Sequence, residues 1–180
     1  MNNKYEFVAG DEKQLSMGQT LKRIRAIVNI STFVVIGDLG GYIESEHNLS
    51  QDGNAWVSGD ARVYGNAWVY GNARVSGDAQ VSGDAWVSGN AWVSGNAQVS
   101  GEALVSGNAA LIWFSNVGRD NGTLTAFMGK DQKIILTRGC FIGSIDEFLT
   151  KSEQEHDDKT HLEYRLLIEV AHSRLTRTLI

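Results

Sequence analysis

The chain has 180 residues, a formal net charge of −5, 21% charged residues and a single cysteine. That length suits one compact domain, and no segment is basic enough to track phosphates, which argues against general nucleic-acid binding. A lone Cys140 leaves no intramolecular disulfide to form and points to a reducing compartment. The start, Met1 to Tyr5, lacks an apolar signal core, and no run approaches the roughly 18 apolar residues of a membrane span. A cytoplasmic protein is expected, with no membrane partner.

Residues 1–40 alternate in strand fashion and predict an N-terminal β cap. Tyr5 to Ala9 runs into a turn signal at Gly10–Lys13. Leu21 stands apart, and Arg23 and Arg25 then oppose Ile24 and Ala26. Thr32 to Ile36 is expected to be a short buried strand.

From Gly53 to Ile112 the chain repeats one hexad ten times, beginning Gly-Asn-Ala-Trp-Val-Ser. Gly recurs every sixth residue, followed by Asn, Asp or Glu102 and then by Ala. Val, or finally Leu111, stands two positions after each Ala. A fixed short period marks a solenoid. Strand geometry turns Ala and Val inward, and the Gly-Asn and Gly-Asp pairs supply corners that tolerate positive φ. Degraded hexads extend the frame back to Gly41, with Ile43 and Leu49 expected at the Ala position as atypical capping turns.

The pattern over residues 41–112 resembles the hexapeptide repeat of left-handed parallel β-helices, which implies three hexads per coil of a triangular prism. Every third hexad then shares a face. The outward residues sort into a column of Trp56, Arg74, Trp92 and Ala110, a column of Trp68, Trp86 and Leu104, and a polar column of Arg62, Gln80 and Gln98. Indoles cannot fit inside an Ala/Val prism and must lie outside it. Two apolar columns and one polar column suit the homotrimer usual in this family, with two faces for neighbours and one for water. The same rings could instead stack on a planar ligand.

After Ile112 the period breaks, and residues 113–180 read as a C-terminal α+β module with two helices. Thr123–Met128 and Lys133–Thr137 form a hairpin around Gly129–Gln132. Ser144 with Glu147 is a capping box, a polar connection covers 152–159, and Thr160 with Glu163 caps a second helix to about Arg174. Around Gly122–Phe141 and Asp146–Tyr164 the module resembles one attached to hexapeptide-repeat proteins of phages and prophages. The turns from Gly37 to Trp56 resemble bacterial and prophage hexapeptide-repeat proteins, often described as acyltransferases.

Acyltransferases of the resembled family use a histidine between subunits as general base, with a coenzyme as acyl donor. Here the coils carry no histidine and no inserted loop. His47, beside Glu46, is the one candidate near the prism, and coenzyme A enters only under that reading. Zinc held by three histidines is not supported, and the Glu153–Asp158 cluster reads as a solvated charge run, so neither cofactor nor metal is expected. Cys140, despite Arg138 nearby, is expected to be buried and structural. Binding remains: Trp56, Arg62, Tyr64, Trp68, Tyr70, Arg74, Trp86 and Trp92 combine aromatic faces with guanidinium groups and could hold a planar phosphorylated molecule. The expected function is a non-catalytic, homotrimeric binding protein of phage or prophage type. It would counteract host defence by sequestering a nucleotide-like ligand or by blocking a host defence protein.

Overall fold

In the computed structural model, residues 3–107 and 110–176 are described. Asn108 and Ala109 of the tenth hexad lie outside them. Two long strands, β1 (Tyr5–Gln14) and β2 (Thr20–Ala26), form an antiparallel hairpin, and β2 pairs antiparallel with β3 (Leu39–Ile43). The reversal falls at Leu15–Gln19, closed by two backbone hydrogen bonds. Gly10–Lys13, expected as the turn, instead lies within β1, where the register with β2 shifts between Phe7 and Glu12 and Gly10 takes a φ of +80°. The expected buried strand at Thr32–Ile36 is an exposed loop: Ser31 and Val34 form an isolated bridge, Val34 alone of the apolar residues is buried, and Phe33, Val35 and Ile36 face solvent.

The hexads make short strands: β4 (Trp56–Val57), β5 (Arg62–Val63), β6 (Trp68–Val69), β7 (Arg74–Val75), β8 (Gln80–Val81), β9 (Trp86–Ser88), β10 (Trp92–Val93), β11 (Gln98–Val99) and β12 (Leu104–Ser106). They stack in parallel as a β-solenoid of about four turns. One face runs β3-β5-β8-β11, one β4-β7-β10 and one β6-β9-β12. The registers Trp56↔Arg74↔Trp92, Trp68↔Trp86↔Leu104 and Arg62↔Gln80↔Gln98 reproduce the three columns. The amide of residue i donates to the carbonyl of residue i+17, as in Trp56 to Ala73 at 3.0 Å and Ser58 to Val75 at 2.9 Å. Every Ala and Val of this lattice from Ala55 to Val105 is buried. The corner glycines keep φ between 61° and 71° from Gly53 to Gly101, and they also stack tightly. A Cβ on Gly83 would stand 2.8 Å from the Gly101 nitrogen, so a side chain there meets both a strained dihedral and a neighbouring coil.

The degraded turns enter in a different frame from the one expected. Ile43 pairs with Val63 and Leu49 with Val69, so both occupy the Val position, not the Ala position. Gly41 stands level with Ala61, where a Cβ would meet the Ala61 carbonyl oxygen at 2.6 Å. In this first, crowded coil the glycine replaces the inner Ala and is not a corner. Leu111 and Ile112, ending the tenth hexad, have already left the solenoid in β13 (Leu111–Val117), antiparallel to β14 (Gly122–Met128). Ala110 therefore adds no strand to the Trp56 column.

Both ends of the prism are closed. At the first coil, Tyr5 is buried and its hydroxyl donates to the Leu49 carbonyl at 3.0 Å. Lys4 is 4% exposed, and its ammonium donates to the Ala55 carbonyl at 2.8 Å. Asn48, fully buried in a 3-10 turn at Glu46–Asn48, donates from Nδ2 to the carbonyls of Gly65 and Ala67. These side chains satisfy backbone acceptors that no coil above can reach.

The last coil is closed by the sheet β13-β14-β15-β16, in which β15 is Ile134–Arg138 and β16 is Phe141–Ser144. Phe127 of β14 belongs to the solenoid core and is fully buried. Thr125 Oγ1 accepts from the Gln98 amide at 3.0 Å, and Thr137 Oγ1 donates to the Gln98 carbonyl at 2.7 Å. β13 and β16 were not expected; their runs lack clean alternation and are held by β14 and β15.

Helix α1 (Ile145–Glu155) starts at the expected box, with Ser144 Oγ accepting from the Glu147 amide at 3.3 Å. Helix α2 (Asp158–Thr176) follows almost at once, so the expected polar connection is mostly helical. Its first turn is held by Asp157, whose Oδ1 accepts from the Thr160 amide at 2.8 Å; Thr160 and Glu163 lie inside the helix and are not its cap. Tyr164, Ile168 and Ala171 are buried beneath α2, while Leu162, Leu166 and Val170 form an exposed row at i, i+4, i+8. No helix among the described residues is long and apolar enough to cross a membrane.

Replacing Phe127 with Ala removes the plug of the last coil and should cost about 3–5 kcal/mol, read as a lower midpoint in chemical unfolding. The first coil makes stability depend on pH. Burial pushes the Lys4 amine down to about 8 from 10.5, with Asp52 opposing. The folded chain therefore loses this proton first, and stability rises with pH from about 8 towards 10.5. Burial, with Glu46, holds the Tyr5 phenol above its ordinary value of 10, so stability falls once unfolded chains ionise there. The thermal midpoint should climb between about pH 8 and 10 and decline above, and Lys4→Met should flatten the climb.

Candidate functional site

The eight residues expected to bind a ligand divide among three faces. Arg62 and Tyr64 lie on the face continued by the N-terminal hairpin. There Arg23 stacks on Tyr42, 4.4 Å from its ring, and pairs with Asp11 at 2.7 Å, while Lys13 hydrogen-bonds Asp60 at 2.6 Å. That bond, then the charges of Arg23 and Arg62, holds the Asp60 carboxyl below its ordinary value. Arg62 Nε is buried with no hydrogen-bond partner. This face is occupied by its own ion pairs.

Trp68, Tyr70 and Trp86 share the second face. Tyr70 stacks on Trp68 with centroids 4.2 Å apart, and Trp86 meets Trp68 edge-on at 6.1 Å. Lys130, from the turn after β14, lies 5.2 Å from the Trp86 ring. The rings pack on one another and leave Trp86 41% exposed.

Trp56, Arg74 and Trp92 come together on the third face, joined by Phe33, which is not among the eight expected residues. The exposed loop at 31–38 leans across this column. Trp56 lies outside the prism as expected but is only 5% exposed, because Ile30 and Val34 pack in its cluster. The Arg74 guanidinium sits 4.6 Å over the Phe33 ring. Trp92 stays 60% exposed and donates from Nε1 to Ser76 Oγ at 3.2 Å. Together they line a cleft of about 300 Å³ that also includes Asp38. Asp38 is turned to its own loop, accepting from the Val35 amide at 2.9 Å. Among the described residues no carboxylate pairs with Arg74. An arginine with one face on an aromatic ring and its N–H groups unclaimed by an acid can receive an anion, and Trp92 offers a flat wall beside it. The signal for Phe33 was its isolation: a large aromatic among Ser, Thr and Val in a segment with no periodicity.

His47 and Glu46 stand in the 3-10 turn at the solenoid's first end. The Glu46 carbonyl accepts from Tyr5 Oη at 3.3 Å, and His47 is exposed. Neither lies in the cleft. No three metal-ligating side chains converge among the described residues. Cys140 is exposed, not buried as expected, because the turn joining β15 and β16 projects it from the sheet.

The coils and their columns define a β-helix repeat protein. Three overlapping stretches, residues 55–71, 67–80 and 79–95, match the family model described as YdcK beta solenoid repeat. No curated protein matches the sequence.

Removing the ring beneath the guanidinium should loosen the cleft without unfolding the coils. Phe33→Ala, at a 72% exposed position, should change unfolding stability by less than about 1 kcal/mol while altering the emission of Trp92, which lines the same cleft; Trp56, packed with Ile30 and Val34, should keep its protection from acrylamide.

Proposed function

We propose that this β-helix is a non-catalytic, homotrimeric binding protein that takes up a planar, negatively charged small molecule of nucleotide type. The observation carrying this reading is Arg74, stacked on Phe33 beside Trp92 and in no ion pair among the described residues. A base or similar ring would lie against Trp92, and a phosphate would meet the guanidinium. The cleft is complete within one chain. Assembly would use the Trp68–Trp86–Leu104 ladder, whose partly exposed rings are an interface chemistry. The phage-type resemblance of the C-terminal module supports a role in which a phage or prophage protein counteracts host defence by removing a nucleotide signal in the cell's cytoplasm.

Titration with nucleoside monophosphates and cyclic dinucleotides should quench tryptophan fluorescence saturably with at least one of them. Arg74→Gln should weaken that binding by about tenfold. Absence of saturable quenching by any of these probes would overturn the ligand reading. In solution the mass should be three times the 19.7 kDa of one chain, and Trp86→Glu should reduce it; a monodisperse monomer would sink the trimer.

A further inference from the structure

The C-terminal module contains a second cavity, separate from the coil faces. It measures about 230 Å³ and opens between the β15–β16 turn and the two helices. Its apolar wall is a run of edge-to-face rings: Phe141 against Phe148 at 5.1 Å, and Phe148 against Tyr164 at 5.1 Å. His156 extends this wall, with its ring 5.6 Å from that of Tyr164. Arg138 provides the polar end.

Arg138 is positioned with care. Its Nε donates to Tyr164 Oη at 3.2 Å and its Nη2 to the Val117 carbonyl at 3.3 Å. Gly122 makes room for the guanidinium, since a Cβ there would fall 2.2 Å from Nη1. Gly118 does the same for Tyr164, with 2.0 Å between a Cβ and the phenol oxygen. Two glycines and a tyrosine thus brace one half-buried cation. Among the described residues no carboxylate forms an ion pair with it. The two acids that line the cavity are turned to other cations: Asp120 to Arg119 at 3.8 Å and Glu155 to Lys151 at 3.8 Å. The hydrogen bonds to Tyr164 and Val117 offset only part of the cost of half-burying a guanidinium, and no ion pair among the described residues adds to them. An anion supplied from outside would offset the rest.

We infer that this cavity is a binding site for a small aromatic anion, its ring against Phe141, Phe148 and His156 and its carboxylate or phosphate on Arg138. A volume of about 230 Å³ is enough for one substituted six-membered ring, and the site lies in the C-terminal module, apart from the Arg74 cleft on the coils. Cys140 lines the same cavity and is the only cysteine of the chain, so its alkylation reports occupancy.

The test is the rate of N-ethylmaleimide reaction at Cys140 in the full chain, with benzoate, phenyl phosphate or benzyl alcohol added. Benzoate or phenyl phosphate should slow the reaction saturably by about fivefold or more, and the neutral alcohol should not. The tighter of the two anions identifies the headgroup. Arg138→Gln should abolish protection, read as the ratio of the rates with and without anion in the same variant, since loss of the nearby cation also changes the thiol's own rate. Because Arg138 also braces Tyr164, Lys151→Gln is the second arm: at this exposed rim position it should weaken protection about two- to threefold with unfolding unchanged. Failure of both anions to protect the wild-type thiol overturns the proposal. So does protection that survives in folded Arg138→Gln, or, should that variant not fold, protection unaltered by Lys151→Gln.

Discussion

The structure depends on the hydrogen bond from each coil to the next, running from residue i to residue i+17. It can be kept only if every coil has the same length and turns at the same three places. Glycine at each corner satisfies the turn, since the φ of +61° to +71° found from Gly53 to Gly101 strains any other residue. Ala and Val then fill the interior of the regular coils, and larger residues enter only at the ends, Ile43 and Leu49 in the first coils and Phe127 over the last. One backbone condition therefore explains the period and the corners.

The same condition creates two problems at the ends, where coils have no further neighbour. The first end is closed mainly by long polar side chains reaching inward: Lys4, Tyr5 and Asn48 give their donors to carbonyls of the opening coils. The second is closed by a sheet laid across the opening, with Phe127 filling the core and Thr125 and Thr137 engaging Gln98. The first closure introduces titratable groups into a buried place, and the second does not, so pH sensitivity belongs to the N-terminal end.

Binding chemistry appears where non-repeating chain leans over something regular. An unbroken coil presents side chains only as columns, and a column alone has no walls. The loop carrying Phe33 gives the Arg74 column a wall, and the helices give Arg138 one. In both places an arginine rests among aromatic rings, and among the described residues neither forms an ion pair. The wholly polar column took a different course, because the N-terminal hairpin brought Asp11, Lys13 and Arg23 to it and the charges neutralised one another.

The sequence by itself determined the solenoid and its hexad period, because a repeating backbone sets the same residue types at the same stations; the three-hexad coil and its columns came with the β-helix resemblance, and the tertiary structure took Ala110 out of the Trp56 column. It also determined the hairpin around Gly129–Gln132 and the start of α1, where turn and capping chemistry are local. Only the tertiary structure decided what lies over the columns. Whether Trp56 is covered and whether Phe127 plugs the last coil depend on contacts between segments far apart in sequence, and no period links those segments. The frame of the first coil was also hidden, since Gly41 answers to crowding against Ala61 and Val57, a constraint that exists only once the coils are stacked.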